Sequence, residues 1–146
     1  MITDEQRQFW SFQPLQHLEP PRVRGLKNAN PVDRFIVARL KQQGLVQARQ
    51  ADPRTLVRRV TYDLVGLPPT PEEVRDFLTS WSRDPDAAMA GLVDRLLDSP
   101  HYGERWGRHW LDLVRYADTA GDASDFPIPE AYKYRNYVID SFNKDK

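Results

Sequence analysis

Apolar positions recur at helical spacing along most of this chain of 146 residues. After Pro31, Val32, Phe35, Ile36 and Leu40 mark one face, and Gly44 follows as a stop. After Pro53, Leu56, Val57, Val60 and Leu64 repeat the pattern as far as Gly66. Leu67-Pro68-Pro69 is a stiff connector. Beyond it a short helix carries Val74, Phe77 and Leu78, and another from about Asp86 to Asp98 carries Met89, Leu92, Val93, Leu96 and Leu97. The longest helix is expected from Ser99 to about Asp118. A Gly/Asp/Ser/Pro-rich loop over 119–129 then leads to a last helix from Glu130 bearing Tyr134, Tyr137, Val138 and Phe142, with no cap signal at its end.

The prolines reinforce this reading. Asn30-Pro31, Asp52-Pro53, Thr70-Pro71, Asp84-Pro85 and Ser99-Pro100 each place a good N-cap before a proline. At the first helical position proline loses no hydrogen bond, and its φ already suits the helix. Glu73, three residues after Thr70, completes a capping box. The pattern predicts an all-α fold, an irregular multi-helix bundle. It divides the chain into an extended arm over 1–29, bearing Phe9, Trp10 and Phe12, and a helical domain over 30–146.

The stretch from His101 to Asp118 holds the densest chemistry. At about 100° per residue, Tyr102, Trp106, Trp110, Leu113, Val114 and Ala117 share an apolar arc with Gly103 and Gly107 at its margin. His101, Arg105, Arg108, Asp112 and Arg115 lie opposite, and His109 and Tyr116 fall at the boundary. Two readings follow. In one, this is an amphipathic core helix with an Arg108–Asp112 pair outside and His109 packed against a backbone carbonyl. In the other, His109, Asp112 and Tyr116 form an acid–base set, or His109, Asp112 and Asp118 contribute metal ligands, since positions three apart on a helix can share an ion. Further ligands would come from Asp122, Asp125 or elsewhere. The Gly103-x-x-x-Gly107 spacing reads first as close helix packing.

Composition narrows the partners. Lys plus Arg and Asp plus Glu number 21 each, so the overall charge has no basic excess for nucleic acid, although a local patch is compatible with that total. No apolar run is long enough to span a bilayer, and the N-terminus lacks a signal-peptide core. With no cysteine there is no disulfide, no thiolate metal site and no C-x-x-C-H haem attachment.

Ordered motifs carry a family resemblance. They include Trp10 to Pro14, Asn30 to Ile36, Arg58 to Thr70, Val93 to Leu97, Ser99 to Trp106, His109 to Asp112, Arg115 to Thr119, and Tyr134 to Ile139 with Ser141-Phe142-Asn143. Together they resemble domain of unknown function 1549, the second planctomycete-cytochrome domain. The resemblance implies a place within a longer exported protein, between a c-type cytochrome-like domain and domain of unknown function 1553, at the cell surface or in the periplasm. Neighbouring domains would be its partners, haem would belong to a neighbour, and a role in polysaccharide use is implied without established catalytic residues. Relatives continue past Asn143-Lys144-Asp145-Lys146, so the expectation is a fragment whose last helix exposes an apolar face.

Overall fold

The computed structural model describes residues 2–25, 30–121 and 125–146. They form seven α-helices and one 3-10 turn: α1 (Asp4–Arg7), the turn Trp10–Phe12, α2 (Pro31–Gln42), α3 (Pro53–Val65), α4 (Pro71–Trp81), α5 (Pro85–Leu97), α6 (Pro100–Leu113) and α7 (Ala131–Asn143). Among the described residues, extended pairing is limited to a bridge between Thr119 and Pro127. The fold is all-α.

Each of the five Pro-initiated helices starts where its cap places it. Asn30 Oδ1 accepts from the Val32 amide at 2.8 Å, Asp52 from Thr55 at 3.0 Å, Asp84 from Asp86 and Ala87 at 3.1 Å, and Ser99 from His101 at 3.4 Å. Thr70 accepts from the Glu73 amide at 3.2 Å, and Glu73 accepts from the Thr70 amide at 2.8 Å. These bonds satisfy amides that the helices leave without partners.

Contacts divide the chain into two units, Met1–Gln50 and Ala51–Lys146. The arm in the first unit is not extended throughout. A capping box of Thr3 with Gln6 begins α1, and Phe9, Trp10 and Phe12 cluster loosely, with ring centroids 6.0 and 6.3 Å from Phe9. Helix α2 ends in a Schellman turn: Gly44 has φ +66°, its amide donates to the Lys41 carbonyl at 3.1 Å, and Leu45 donates to Leu40 at 2.9 Å. Its buried residue is Val37, whereas Val32, Phe35 and Ile36 of the expected stripe are exposed.

The second unit has a continuous core. Val57, fully enclosed, packs with Val65, Phe77, Ala88, Leu92 and Leu96 from α3, α4 and α5. Val60, Leu64, Val74, Trp81 and Met89 border it. Buried Thr61 donates to the Val57 carbonyl at 2.7 Å, which satisfies its hydroxyl. Across the surface, Arg95 of α5 pairs with Glu73 of α4 at 2.6 Å. Gly66 stops α3 with φ +74°, a conformation that a β-carbon disfavours.

Helix α6 is shorter than its pattern predicts. It ends at Leu113 because Arg115 turns to φ +54°. The Arg115 amide donates to Asp112 at 3.2 Å and that of Tyr116 to Leu111 at 2.9 Å, a Schellman turn built without glycine. The end of α7 closes in the same way on Asp145, φ +48°, with Lys146 donating to Ser141 at 3.0 Å.

Candidate functional site

Helices α6 and α7 run antiparallel, and the glycines of α6 set how closely they approach. Gly103 and Gly107 are the buried residues of α6. A β-carbon at Gly103 would overlap the Ile139 carbonyl oxygen and lie 2.6 Å from Asn143 Oδ1. At Gly107 it would meet Val138 and Ile139 at 3.4 and 3.5 Å, an ordinary contact. The Gly103 amide donates to Asn143 Oδ1 at 2.7 Å, and Asn143 Nδ2 donates to the Pro100 carbonyl at 3.1 Å. The glycine spacing is therefore a packing seam. Because α7 lies on the glycines, the apolar arc of α6 is only partly covered: Trp110 is 47% exposed and Leu113 78%.

The other end of the pair carries a polar and aromatic network. Trp110 Nε1 donates to the Tyr134 hydroxyl at 2.9 Å. The rings of Tyr134 and Tyr116 lie 6.1 Å apart, and the Tyr116 hydroxyl donates to Asp118 Oδ1. Arg135 reaches Asp118 Oδ2 at 3.4 Å. The Asp118 backbone carbonyl accepts from the Ile128 amide at 2.8 Å, and Ala120 donates to Phe126 at 3.0 Å, so the neck of the following loop is closed. Desolvation raises the Tyr116 pKa above its ordinary value; the hydrogen bond to Asp118 and the charge of that carboxylate add to the shift, and Arg135 opposes it.

The residues singled out in the sequence separate into two places. Tyr116 and Asp118 belong to this network. His109 is exposed, with its ring 5.2 Å from that of Trp106, which differs from the packed or half-buried position expected of it. Asp112 pairs with Arg108 at 3.9 Å on the exposed surface, as their spacing predicts. His101 lies 2.8 Å from Glu104. Among the described residues, no three His, Asp or Glu side chains form a group able to hold a metal ion. Asp122 lies outside the described residues, and Asp125 stands in the loop with φ +39°. The network draws in Arg135 and Tyr134 as polar partners, roles that helical periodicity within α7 alone does not signal.

Beside the network, a groove of about 450 Å³ runs along the seam, lined chiefly by Tyr102, Trp110, Tyr134, Tyr137, Ser141 and Phe142. Tyr102 meets Phe142 edge-on at 6.5 Å, and Lys146 Nζ lies 5.5 Å from the Tyr137 ring centroid. Tyr134 and Tyr137 are 41% and 59% exposed. Such a surface offers wide aromatic contact area together with tyrosine and serine hydroxyls.

No curated protein and no solved structure matches the chain. Residues 31–146 match the PSCyt2 family model, whose description is protein of unknown function (DUF1549). That match covers α2 to α7, including the whole α6–α7 pair. The chain belongs to the PSCyt2 (DUF1549) family.

Proposed function

We propose that this domain is a helical interaction module of a larger exported, cytochrome-associated protein, and that it seats a neighbouring domain against the aromatic seam of α6 and α7. One observation carries the reading: Trp110, Tyr134 and Tyr137 stand exposed around a groove whose walls are held in place by the glycine contact and the Trp110–Tyr134 hydrogen bond. Aromatic side chains lose little conformational freedom on contact and dominate the energetics of interfaces. The test is calorimetric titration of this chain with the adjoining domain produced separately. Tyr137→Ala, at an exposed position, should weaken binding by about thirtyfold or more, the scale of an interface hot spot, without altering the circular dichroism. Unchanged affinity removes the reading.

A second reading, part of a metal-dependent or redox enzyme, draws on the Tyr116–Asp118–Arg135 network, which places a phenol, a carboxylate and a guanidinium together. In it His109, Asp112 and Asp118 contribute ligands or proton transfer, together with groups from a neighbouring domain. Elemental analysis of the full-length protein separates the two readings. Stoichiometric metal that is lost in both His109→Gln and Asp112→Asn favours the enzyme; metal content indifferent to both substitutions leaves the interaction module.

A further inference from the structure

The groove beside the α6–α7 seam is selective in hydrogen bonding as well as in shape. The Tyr134 hydroxyl accepts from Trp110 Nε1 and keeps its own proton to donate. Among the described residues, no acceptor in the chain takes the hydroxyl proton of Tyr102, Tyr134 or Tyr137. Ser141 gives its proton to the Tyr137 carbonyl at 2.7 Å. The groove therefore presents phenol donors on an aromatic floor. Its lining charges are Asp145 and Lys146, which are of opposite sign and follow the end of α7.

Tyr134 and Phe142 stand eight positions apart on α7, as do Tyr102 and Trp110 on α6, so the groove is about 12 Å long at 1.5 Å per residue. An α-helix laid in it would have its own carbonyls occupied and would leave the phenol donors buried without acceptors. A sugar ring can stack on the aromatics, but its hydroxyls donate as well as accept, and the lining carboxylate is Asp145 alone, beyond the end of α7. A polyproline II segment has no internal hydrogen bonds, so its carbonyls are free, and its prolines bring no N–H that needs an acceptor. At about 3.1 Å per residue, roughly four of its residues span the groove. With three residues per turn, prolines three apart both face the rings.

We propose that the groove receives a proline-rich segment of the partner in the polyproline II conformation. Its rings stack on Trp110, Tyr134 and Tyr137, and its carbonyls accept from the tyrosine hydroxyls. Aromatic-lined grooves suit such segments because the ligand is already ordered before it binds. The inference rests on the interaction-module reading and names what the partner presents at that site. Because the lining charges cancel, binding depends little on salt.

The experiment is calorimetric titration of the full chain with a blocked peptide of repeated Pro-Pro-Leu, and with the same peptide carrying alanine in place of proline. Saturable binding is expected for the proline peptide only, nearly unchanged by salt. Tyr137→Phe keeps the ring but removes one donor and should weaken binding about fivefold, the scale of one hydrogen bond. Tyr137→Ala should weaken it about thirtyfold or more. Circular dichroism establishes that both variants remain helical. Affinity unchanged in both variants, equal binding of the alanine peptide, or tighter binding of an amphipathic helical peptide or a neutral oligosaccharide overturns the proposal. Binding of the adjoining domain without binding of the proline peptide overturns it and leaves the interaction-module reading standing, whereas binding of neither removes both.

Discussion

At its Gly103 end the α6–α7 pair closes to backbone contact, with Asn143 bridging two main-chain groups of α6, whereas at its Trp110 end bulky rings hold the helices through a side-chain hydrogen bond. The first arrangement tolerates no added atom. The second is bordered by half-exposed polar groups, and the groove beside the seam runs from it as far as Tyr102 and Phe142. One helix pair thus combines a sterically determined joint with an adaptable surface. The joint determines where the surface lies, and the surface is where a partner or a reaction has room.

The sharpest way to break this comparison is at the glycines. Gly103→Ala should destabilise the second unit by about 3 kcal/mol or more, because the new methyl meets a backbone oxygen and overpacking of this kind outweighs the roughly 1 kcal/mol gained in helix propensity. Gly107→Ala, only four residues away, meets side-chain methyls at ordinary distance and should be within about 1 kcal/mol of neutral. Chemical denaturation of both variants measures the difference; equal losses would show that the close approach is not specific to Gly103.

Asn143→Ala comes next. It leaves the Gly103 amide and the Pro100 carbonyl without their bridge and should cost about 1–3 kcal/mol. The same measurement applied to Asn143→Asp tests the donor arm, since a carboxylate can still accept from Gly103 but cannot donate to Pro100.

At the open end the effects should be smaller. Trp110→Phe removes the indole donor to Tyr134 but keeps most of the ring, and should cost about 1 kcal/mol. A loss as large as that at Gly103 would mean that the aromatic end, not the glycine end, is the principal joint.

The smallest expected effect is on pH dependence. Tyr116 has a raised pKa in the folded state, chiefly from desolvation and secondly from Asp118. The folded protein therefore holds this proton more tightly than the unfolded chain. The stabilisation is complete below the ordinary tyrosine value of about 10 and is lost as pH rises through the folded value. Tyr116→Phe should flatten this alkaline decline. Urea unfolding at neutral and alkaline pH would detect it, and an unaltered slope would place the titration elsewhere.

Much of the architecture was legible because its signals are local. A capping side chain and a proline act within one turn, so Asn30, Asp52, Thr70, Asp84 and Ser99 announce their helices without reference to the rest of the chain. The end of α6 was not legible, because Arg115 adopts a left-handed conformation in which glycine is the usual residue. The candidate site was legible in part. The Tyr116–Asp118 pair lies within the stretch singled out, but Arg135 and Tyr134 arrive from α7 across the loop. His109 shows the limit of periodicity: its angle on the helix places it at a boundary, yet the neighbour lies on the glycines and leaves the histidine exposed.

By itself, then, the sequence determined that the chain is all-α, where five helices begin, that Gly66 ends α3, and that the glycine spacing in α6 favours close packing. These depend on dihedral preferences and bonds spanning a few residues. Only the tertiary structure decided which apolar stripe is covered. Helices α2 and α3 share a cap, a proline and an apolar period, yet Val57 is fully enclosed while Val32, Phe35 and Ile36 face solvent. The physical reason is that burial belongs to a pair of surfaces. A helical period states which side chains could leave water together, but only an opposing element of complementary shape removes them from it.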